Sequence, residues 1–299
     1  MKILVTGSDG QLGRELRREL EVRAPGITIY TDRQSLDITD AQAVEDFMRR
    51  GDFTHVVNCA AYTAVDRAEE EKKECMAVNA EGVSNLARHA DPTSYKIMHI
   101  STDYVFDGHT WHPYSEADKP NPLSVYGVAK RRGETALIGL APESMIIRTG
   151  WLHSPHGHNF VKTILNLGRK GTHLRVVADQ IGTPTYASDL AKAIADILLS
   201  GHWTPGIFHY SNEGVASWYD VAVAALEYAG MPDRAAAVEP IPSSDYLQAA
   251  ERPHYAVLDK SKIKATFGLN IPHWQSSLRK CIDRVLNRST QATNHPCQP

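Results

Sequence analysis

The stretch Lys2-Ile-Leu-Val-Thr-Gly7-Ser-Asp-Gly10-Gln-Leu-Gly13 decides the fold. A short apolar run reads as a strand that ends on Gly7, and the spacing Gly7-x-x-Gly10-x-x-Gly13 then opens a segment of helical period. The first glycine lets the chain reverse, the second lets backbone amides approach an anion, and the third lets helix pack closely on strand. Glycines so spaced also serve a tight turn alone. The strand, glycine turn, helix order is what points to a bound pyrophosphate.

Outward from this turn the chain alternates. Residues 2–6, 27–31, 55–58, 96–101 and 144–149 read as strands, and residues 11–21, 41–49, 70–89 and 125–140 as helices. Thr39-x-x-Gln42 has capping-box spacing at the second helix. The expectation is an α/β fold with a doubly wound parallel sheet (Rossmann) over residues 1–150. After that the regularity loosens: helical segments at 160–168, 190–199, 218–229 and 273–288 are separated by stretches such as Pro240-Ile-Pro-Ser-Ser244, and Ser217-x-x-Asp220 can cap the third of them. This predicts a smaller C-terminal lobe over residues 151–288, with some segments returning to the first domain, and a flexible tail over 289–299.

With 299 residues, 42% hydrophobic and 22% charged, the chain can bury a sizeable core, which excludes a disordered or disulfide-stapled class. Its 32 basic and 35 acidic residues leave a formal charge of -3 and no basic field for nucleic acid or a membrane surface, so a bound anion needs a local site. No run reaches the ~18 apolar residues of a membrane span, and the N-terminus lacks a signal-peptide core. Cys59, Cys75, Cys281 and Cys297 form no C-x-x-C pair, which fits a reducing cytoplasm.

Asp32 and Arg33 close the second strand, where a carboxylate grips ribose hydroxyls and an arginine favours a ribose phosphate; the two signals conflict, so NADH and NADPH are both expected as cofactors. Asp37 can bond an adenine amino group while Ile38 packs on the ring, although a plain helix-entry residue explains Asp37 almost as well. The small residues of Asn58-Cys-Ala60-Ala61-Tyr62-Thr63 would let a cofactor lie against the backbone. Tyr126 and Lys130, four apart in a helical segment, share a face; an ammonium beside a phenol lowers its pKa toward neutrality, and Lys130 can also hold the nicotinamide ribose. Thr102 ends the fourth strand, where such sheets place their chemistry, and its hydroxyl can hold a substrate carbonyl oxygen.

Together with Asp179-Gln-Ile-Gly-Thr-Pro-Thr185, Arg148-Thr-Gly-Trp151 and Ser101-Thr-Asp-Tyr-Val-Phe-Asp-Gly108, these motifs resemble the dTDP-4-dehydrorhamnose reductase family of extended short-chain dehydrogenases/reductases, from Met1 to about Leu286. The resemblance implies that Gly10, Gln11 and Leu12 line the cofactor phosphates, that Asp37 and Ile38 meet the adenine, and that Ala61, Tyr62 and Thr63 border ribose and nicotinamide. It implies Tyr126 as proton donor tuned by Lys130, Thr102 on the keto oxygen, and Trp151, Asp103 and Asn159 toward the sugar. The family reaction reduces the 4-keto group of dTDP-4-dehydro-β-L-rhamnose with NADPH or NADH. A homodimer is a further expectation.

Three departures bear on this. Where relatives carry Arg-Pro-x-x-Ser-x-Leu, this chain has Arg252-Pro-His-Tyr-Ala256-Val-Leu258, which keeps Arg252 for a diphosphate and removes one polar contact. Glu15 and Asp189 are too few to specify a magnesium site, so solvated salt bridges and no metal are expected. His153, His156 and His158 read as loop polarity, not zinc ligands. Among other functions, a dehydratase expects Asp-Glu after the threonine, whereas Asp103 is followed by Tyr104; an epimerase, a reductase of another dTDP-4-keto-6-deoxy sugar and a non-catalytic dinucleotide-binding subunit remain alternatives.

Overall fold

The computed structural model describes residues 1–88, 90 and 95–293, with side chains as far as residue 287. Six parallel strands form the central sheet: β1 (Ile3–Thr6), β2 (Thr28–Tyr30), β3 (His55–Asn58), β4 (Lys96–Thr102), β5 (Met145–Thr149) and β6 (Gly206–His209). Their order is β6-β5-β4-β3-β1-β2. The chain runs one way from β1 to β2 and the other way from β1 to β3, so the switch point lies at the carboxyl ends of β1 and β3, the place where open α/β sheets bind ligands.

Each face of this sheet buries its own cluster. On one side α1 (Gln11–Arg23) contributes Leu12, Leu16 and Leu20, packed with Leu190, Ile194 and Ile197 of the helix Ala187–Leu199. The other side collects Val44 and Met48 from α2 (Ala41–Gly51), Val83 and Leu86, and Leu137 from the helix Val125–Leu140. A third cluster, built from Ile164, Val221, Leu226, Leu278 and Ile282, is a separate core made by the second half of the chain. Strand β6 and the helix Ala187–Leu199 come from the second half of the sequence but pack with the first. No described helix is long and apolar enough to cross a membrane.

Several local expectations change. The cap of α2 is Asp40, whose carboxylate accepts the Ala43 N–H at 3.0 Å; Thr39 instead donates its hydroxyl to Asp37. The expected helix over 70–89 is broken into Val65–Ala68, Lys72–Met76, a π-helical turn at Ala77–Glu81, and Gly82–Arg88, while His89 lies outside the described residues. Buried Asn79 explains the wide turn: its amide donates to the Tyr62 carbonyl at 2.9 Å and accepts the Tyr62 N–H at 3.1 Å, a tertiary anchor inside the helix. The Ser217/Asp220 capping box is present. The last helix, Trp274–Thr293, carries backbone order into the stretch expected to fray, and residues 294–299 lie outside the described part.

Candidate active site

At the switch point Gly7 adopts φ +64°, and a Cβ there would stand 2.5 Å from the Ala60 nitrogen. Gly13 is equally constrained, since a Cβ would meet the Gly7 carbonyl oxygen and Ser8 Cα at 2.5 Å. Gly10 is the N-cap of α1 and offers no side-chain bond to the first helical amides, which leaves them for an anion at the positive end of the helix. This cradle fits a dinucleotide pyrophosphate.

Beside it a cavity of about 430 Å³ is lined by Asp32, Arg33, Asp37, Ile38, Ala60, Ala61, Tyr62 and Glu74. Asp32 Oδ1 accepts the Gln34 and Ser35 N–H groups of its own turn at 3.1 and 2.9 Å and the Ser35 hydroxyl at 2.7 Å, while the residue also lines the cavity. Arg33 pairs with Glu74 at 2.9 Å and Asp37 at 3.4 Å. Asp37 also accepts the Thr39 N–H and hydroxyl at 2.9 and 2.8 Å. Ile38 is buried in the core against Gly82 as well as lining the cavity.

A second cavity, about 590 Å³, shares Gly10, Cys59 and Ala61 with the first and gathers Gln11, Leu12, Thr63, Thr102, Asp103, Tyr126, Lys130, Trp151 and Asn159. Helix Val125–Leu140 delivers Tyr126 and Lys130; Ser124 caps it by accepting the Gly127 N–H at 3.1 Å. Burial pushes the Tyr126 phenol above its usual range, with the charges of Asp103, Tyr104 and Cys75 acting the same way and the Thr102 hydroxyl opposing them. This is the reverse of the expected direction. Lys130 donates to the Ile100 carbonyl at 2.6 Å and stands 3.2 Å from His99 Nε2, and burial pushes its ammonium down to about 8.

Thr102 donates to Asp103 Oδ1 at 3.0 Å and accepts the Tyr104 N–H at 3.2 Å. Burial raises the Asp103 carboxyl to about 7, and its Oδ2, packed on Gly150, makes no hydrogen bond. Trp151, held at φ +50°, stacks on Trp218 with ring centres 3.6 Å apart. Asn159 lines the cavity, and its amide donates to Gln11 at 2.8 Å and to the Ser154 carbonyl at 2.9 Å, so it fastens the loop before the helix Phe160–Arg169 to the first turn of α1. Burial pushes the Cys59 thiol up to about 12, which keeps it protonated and inert.

The third cavity, about 610 Å³, continues from the second through Thr63, Val65, Tyr104, Phe160 and Trp218 and ends at Arg252. Arg252 grips Asp66 with Nη1 and Nη2 at 2.9 and 2.6 Å and donates to Gln248 at 2.7 Å, which places a guanidinium at the far wall. The acidic pair Glu15 and Asp189 is not solvated as expected. Fully buried Glu15 accepts from Arg284 at 2.8 Å, and Asp189 accepts from Asn212 at 2.8 Å and from Ser277, so both hold the last helix to the body. Of the three loop histidines, His153 is buried against Tyr186, His156 lies 3.2 Å from Glu15 and His158 lines the cavity. Among the described residues no cluster of three His, Cys, Asp or Glu side chains can hold a metal.

Sequence reading missed Asn58 as a side-chain participant, and His99, Glu134 and Trp218. His99 left a trace, as a polar residue inside the apolar run Ile97-Met-His-Ile100, and Trp218 only as the residue after a helix cap.

A glycine cradle at the switch point, with a strand-end threonine and a tyrosine/lysine helix beyond it, defines an extended short-chain dehydrogenase/reductase. The family described as RmlD substrate binding domain matches residues 1–287. A dTDP-4-dehydrorhamnose reductase from Aggregatibacter actinomycetemcomitans is 40% identical over 285 residues, covering 93% of this chain and 97% of its own. The structure of a dTDP-4-dehydrorhamnose reductase from Clostridium acetobutylicum is similar with a TM-score of 0.90 at 41% identity, over 96% of this chain and 100% of that one. One from Bacillus anthracis, in complex with NADP, gives 0.89 at 35% identity over 95% and 100%. The chain belongs to the dTDP-4-dehydrorhamnose reductase family.

Proposed function

We propose that this enzyme reduces the 4-keto group of dTDP-4-dehydro-β-L-rhamnose to dTDP-β-L-rhamnose, the last step in making that activated sugar, using NADPH or NADH. The observation that carries the reading is the run of three joined cavities, with Thr102, Tyr126 and Lys130 in the middle one, the glycine cradle on one side and Arg252 on the other. Reduced nicotinamide, when bound, supplies the hydride. Gly7, Gly10 and Gly13 hold its pyrophosphate, and Ala60, Ala61, Tyr62 and Thr63 flank the dinucleotide.

Tyr126 holds the proton that the keto oxygen takes up, and its depth in the site keeps that proton on the phenol until negative charge develops beside it. Thr102 supplies a second hydroxyl at the same oxygen, and Lys130 orients the ribose and steadies the phenolate. Asp103 and Trp151 wall the sugar, and Arg252 meets the substrate diphosphate through the guanidinium edge turned from Asp66. The three described cysteines are unpaired, which supports a cytoplasmic setting.

The test follows nicotinamide absorbance with dTDP-4-dehydro-β-L-rhamnose, then identifies the product by NMR. Oxidation of the cofactor with formation of the rhamnose nucleotide is the expected result. Tight cofactor binding without turnover of this sugar would defeat the proposal, and a product epimeric at C4 would mean that hydride meets the other face of the same keto sugar and would overturn the rhamnose assignment.

A further inference from the structure

Behind Lys130 a chain of buried polar groups has only one consistent assignment of protons. Asn58 Oδ1 accepts the Thr6 hydroxyl at 2.7 Å and the Ala60 main-chain N–H at 3.1 Å, and because a backbone amide can only donate, the orientation of the Asn58 side chain is fixed. Its Nδ2 therefore faces His99 Nδ1, 3.0 Å away, as a donor. Nδ1 must accept, so the neutral ring carries its proton on Nε2. An imidazolium would set N–H against N–H at Asn58.

His99 Nε2 lies 3.2 Å from Lys130 Nζ, which already donates to the Ile100 carbonyl at 2.6 Å. An ammonium has three donors and no acceptor, so it meets the Nε2 proton with another proton. The neutral amine has a lone pair for that proton and two hydrogens left, one for Ile100 and one for the cavity.

We propose that His99 is a positioning residue for the reaction: locked by Asn58 with its Nε2–H toward Lys130, it favours the amine form and makes Lys130 a proton carrier in the working pH range instead of a permanent cation. The inference deepens the reductase reading and rests on it for the role of Lys130. Burial of Lys130 and of His99 acts in the same direction on both groups. The other charges facing Nζ are few. Cys59 after β3 and Cys75 on the helix Lys72–Met76 act on it by charge in favour of the ammonium, against the bias of burial, which is the larger effect, and Tyr126 lies one turn back on its own helix. Glu134, one turn on, favours the charged form but is itself matched by Arg148 and Arg131. Asp103 acts on Tyr126.

The ammonium is the active form because it carries the proton that replaces the one Tyr126 gives up, and the amine that His99 favours is the state left after that transfer. Activity is thus present below the Lys130 pKa and lost as pH rises through it. In His99→Gln the Asn58 N–H still faces the new side chain, so Oε1 turns to Asn58 and an N–H stays toward Nζ; this variant keeps the alkaline limb of kcat/KM for the keto sugar in place. His99→Met presents no N–H to Nζ, and the limb then moves upward by about one pH unit. A limb that stays in place in a folded His99→Met variant, or that moves as far in His99→Gln, would overturn the proposal, since a merely structural histidine would alter the rate without moving it.

A second measurement needs no variant to be active. Long-range ¹H–¹⁵N spectra of histidine-labelled wild type, with the His99 signals assigned by their loss in His99→Gln, read the tautomer directly. A neutral ring protonated at Nε2 is expected, and a proton on Nδ1 or on both nitrogens refutes the inference. Absence of turnover by wild type would instead count against the reductase reading, leaving the tautomer to decide this one.

Discussion

Loss of Glu134 should disturb the helix that bears Tyr126 and Lys130, and the cost can be worked from its contacts. Its carboxylate accepts Arg148 Nε and Nη2 at 2.8 and 2.7 Å, the Ser101 hydroxyl at 2.6 Å and Arg131 Nη1 at 2.9 Å. Glu134 and Arg148 are essentially unexposed, so the pair joins the helix bearing Tyr126 and Lys130 to β5 and to the residue before Thr102 with no help from water. Glu134→Gln leaves the Arg148 charge buried without its counterion, which costs about 3–5 kcal/mol. Against a typical total of about 5–15 kcal/mol, that is a large fraction of the stability.

The pair is also open to replacement as a unit. Removing both charges in Glu134→Leu/Arg148→Met takes away the desolvation cost along with the attraction, and such swaps are often neutral or better. The Ser101 hydroxyl then lacks its acceptor, at about 1–3 kcal/mol. The double variant should therefore be more stable than Glu134→Gln by roughly 2 kcal/mol, the difference between the centres of the two ranges. Urea denaturation followed by circular dichroism measures both. A single-variant cost below ~1 kcal/mol, or a double variant less stable than the single one, would refute the reasoning.

The acid limb gives an independent check. Burial alone drives the Glu134 carboxyl upward, but the hydrogen bonds and charge of Arg148, with Ser101 and Arg131, outweigh it and leave it below its ordinary range. A depressed folded pKa contributes stability above the unfolded value of about 4.3 that is lost as pH falls through the folded one. The gap between wild type and Glu134→Gln should hold at neutral pH and narrow only in acid.

Two further outcomes concern the ligand sites. Tyr126→Phe should lower turnover by at least ~10²-fold and leave dinucleotide affinity nearly unchanged, because only the proton donor is removed; fluorescence titration beside single-turnover rates separates the two, and equal loss of binding would displace Tyr126 from its role. Glu74→Gln should raise affinity for NADPH relative to NADH a few-fold, since it frees Arg33 from one of two carboxylates; an unchanged ratio of dissociation constants would mean that Arg33 does not meet the ribose phosphate.

What the sequence made legible was local. The glycine turn and the helix Val125–Leu140 could be read because strand, turn and helix signals lie within a few residues of one another. What stayed hidden depended on partners far along the chain. Asn79 widens its helix through Tyr62, 17 residues away; Lys130 meets His99 across 31; and Arg252 finds Asp66 across 186. Asp32 differs: the motif reading pointed to a ribose and did not foresee that the neighbouring turn amides are bound by its Oδ1. Thr39 misled because Asp40, one residue on, is an equally good cap.

The stacking of Trp151 on Trp218 has an optical consequence. Gly182 lies so close to the Trp151 ring that a Cβ there would stand 2.5 Å from Cε2, so the indole has little freedom to reorient. Two indoles in parallel contact are electronically coupled, and these two line the middle cavity while Trp111, Trp203 and Trp274 do not. The protein thus carries its own chromophore in the wall of the middle cavity, and its near-ultraviolet signal should change when that cavity is filled, without any label.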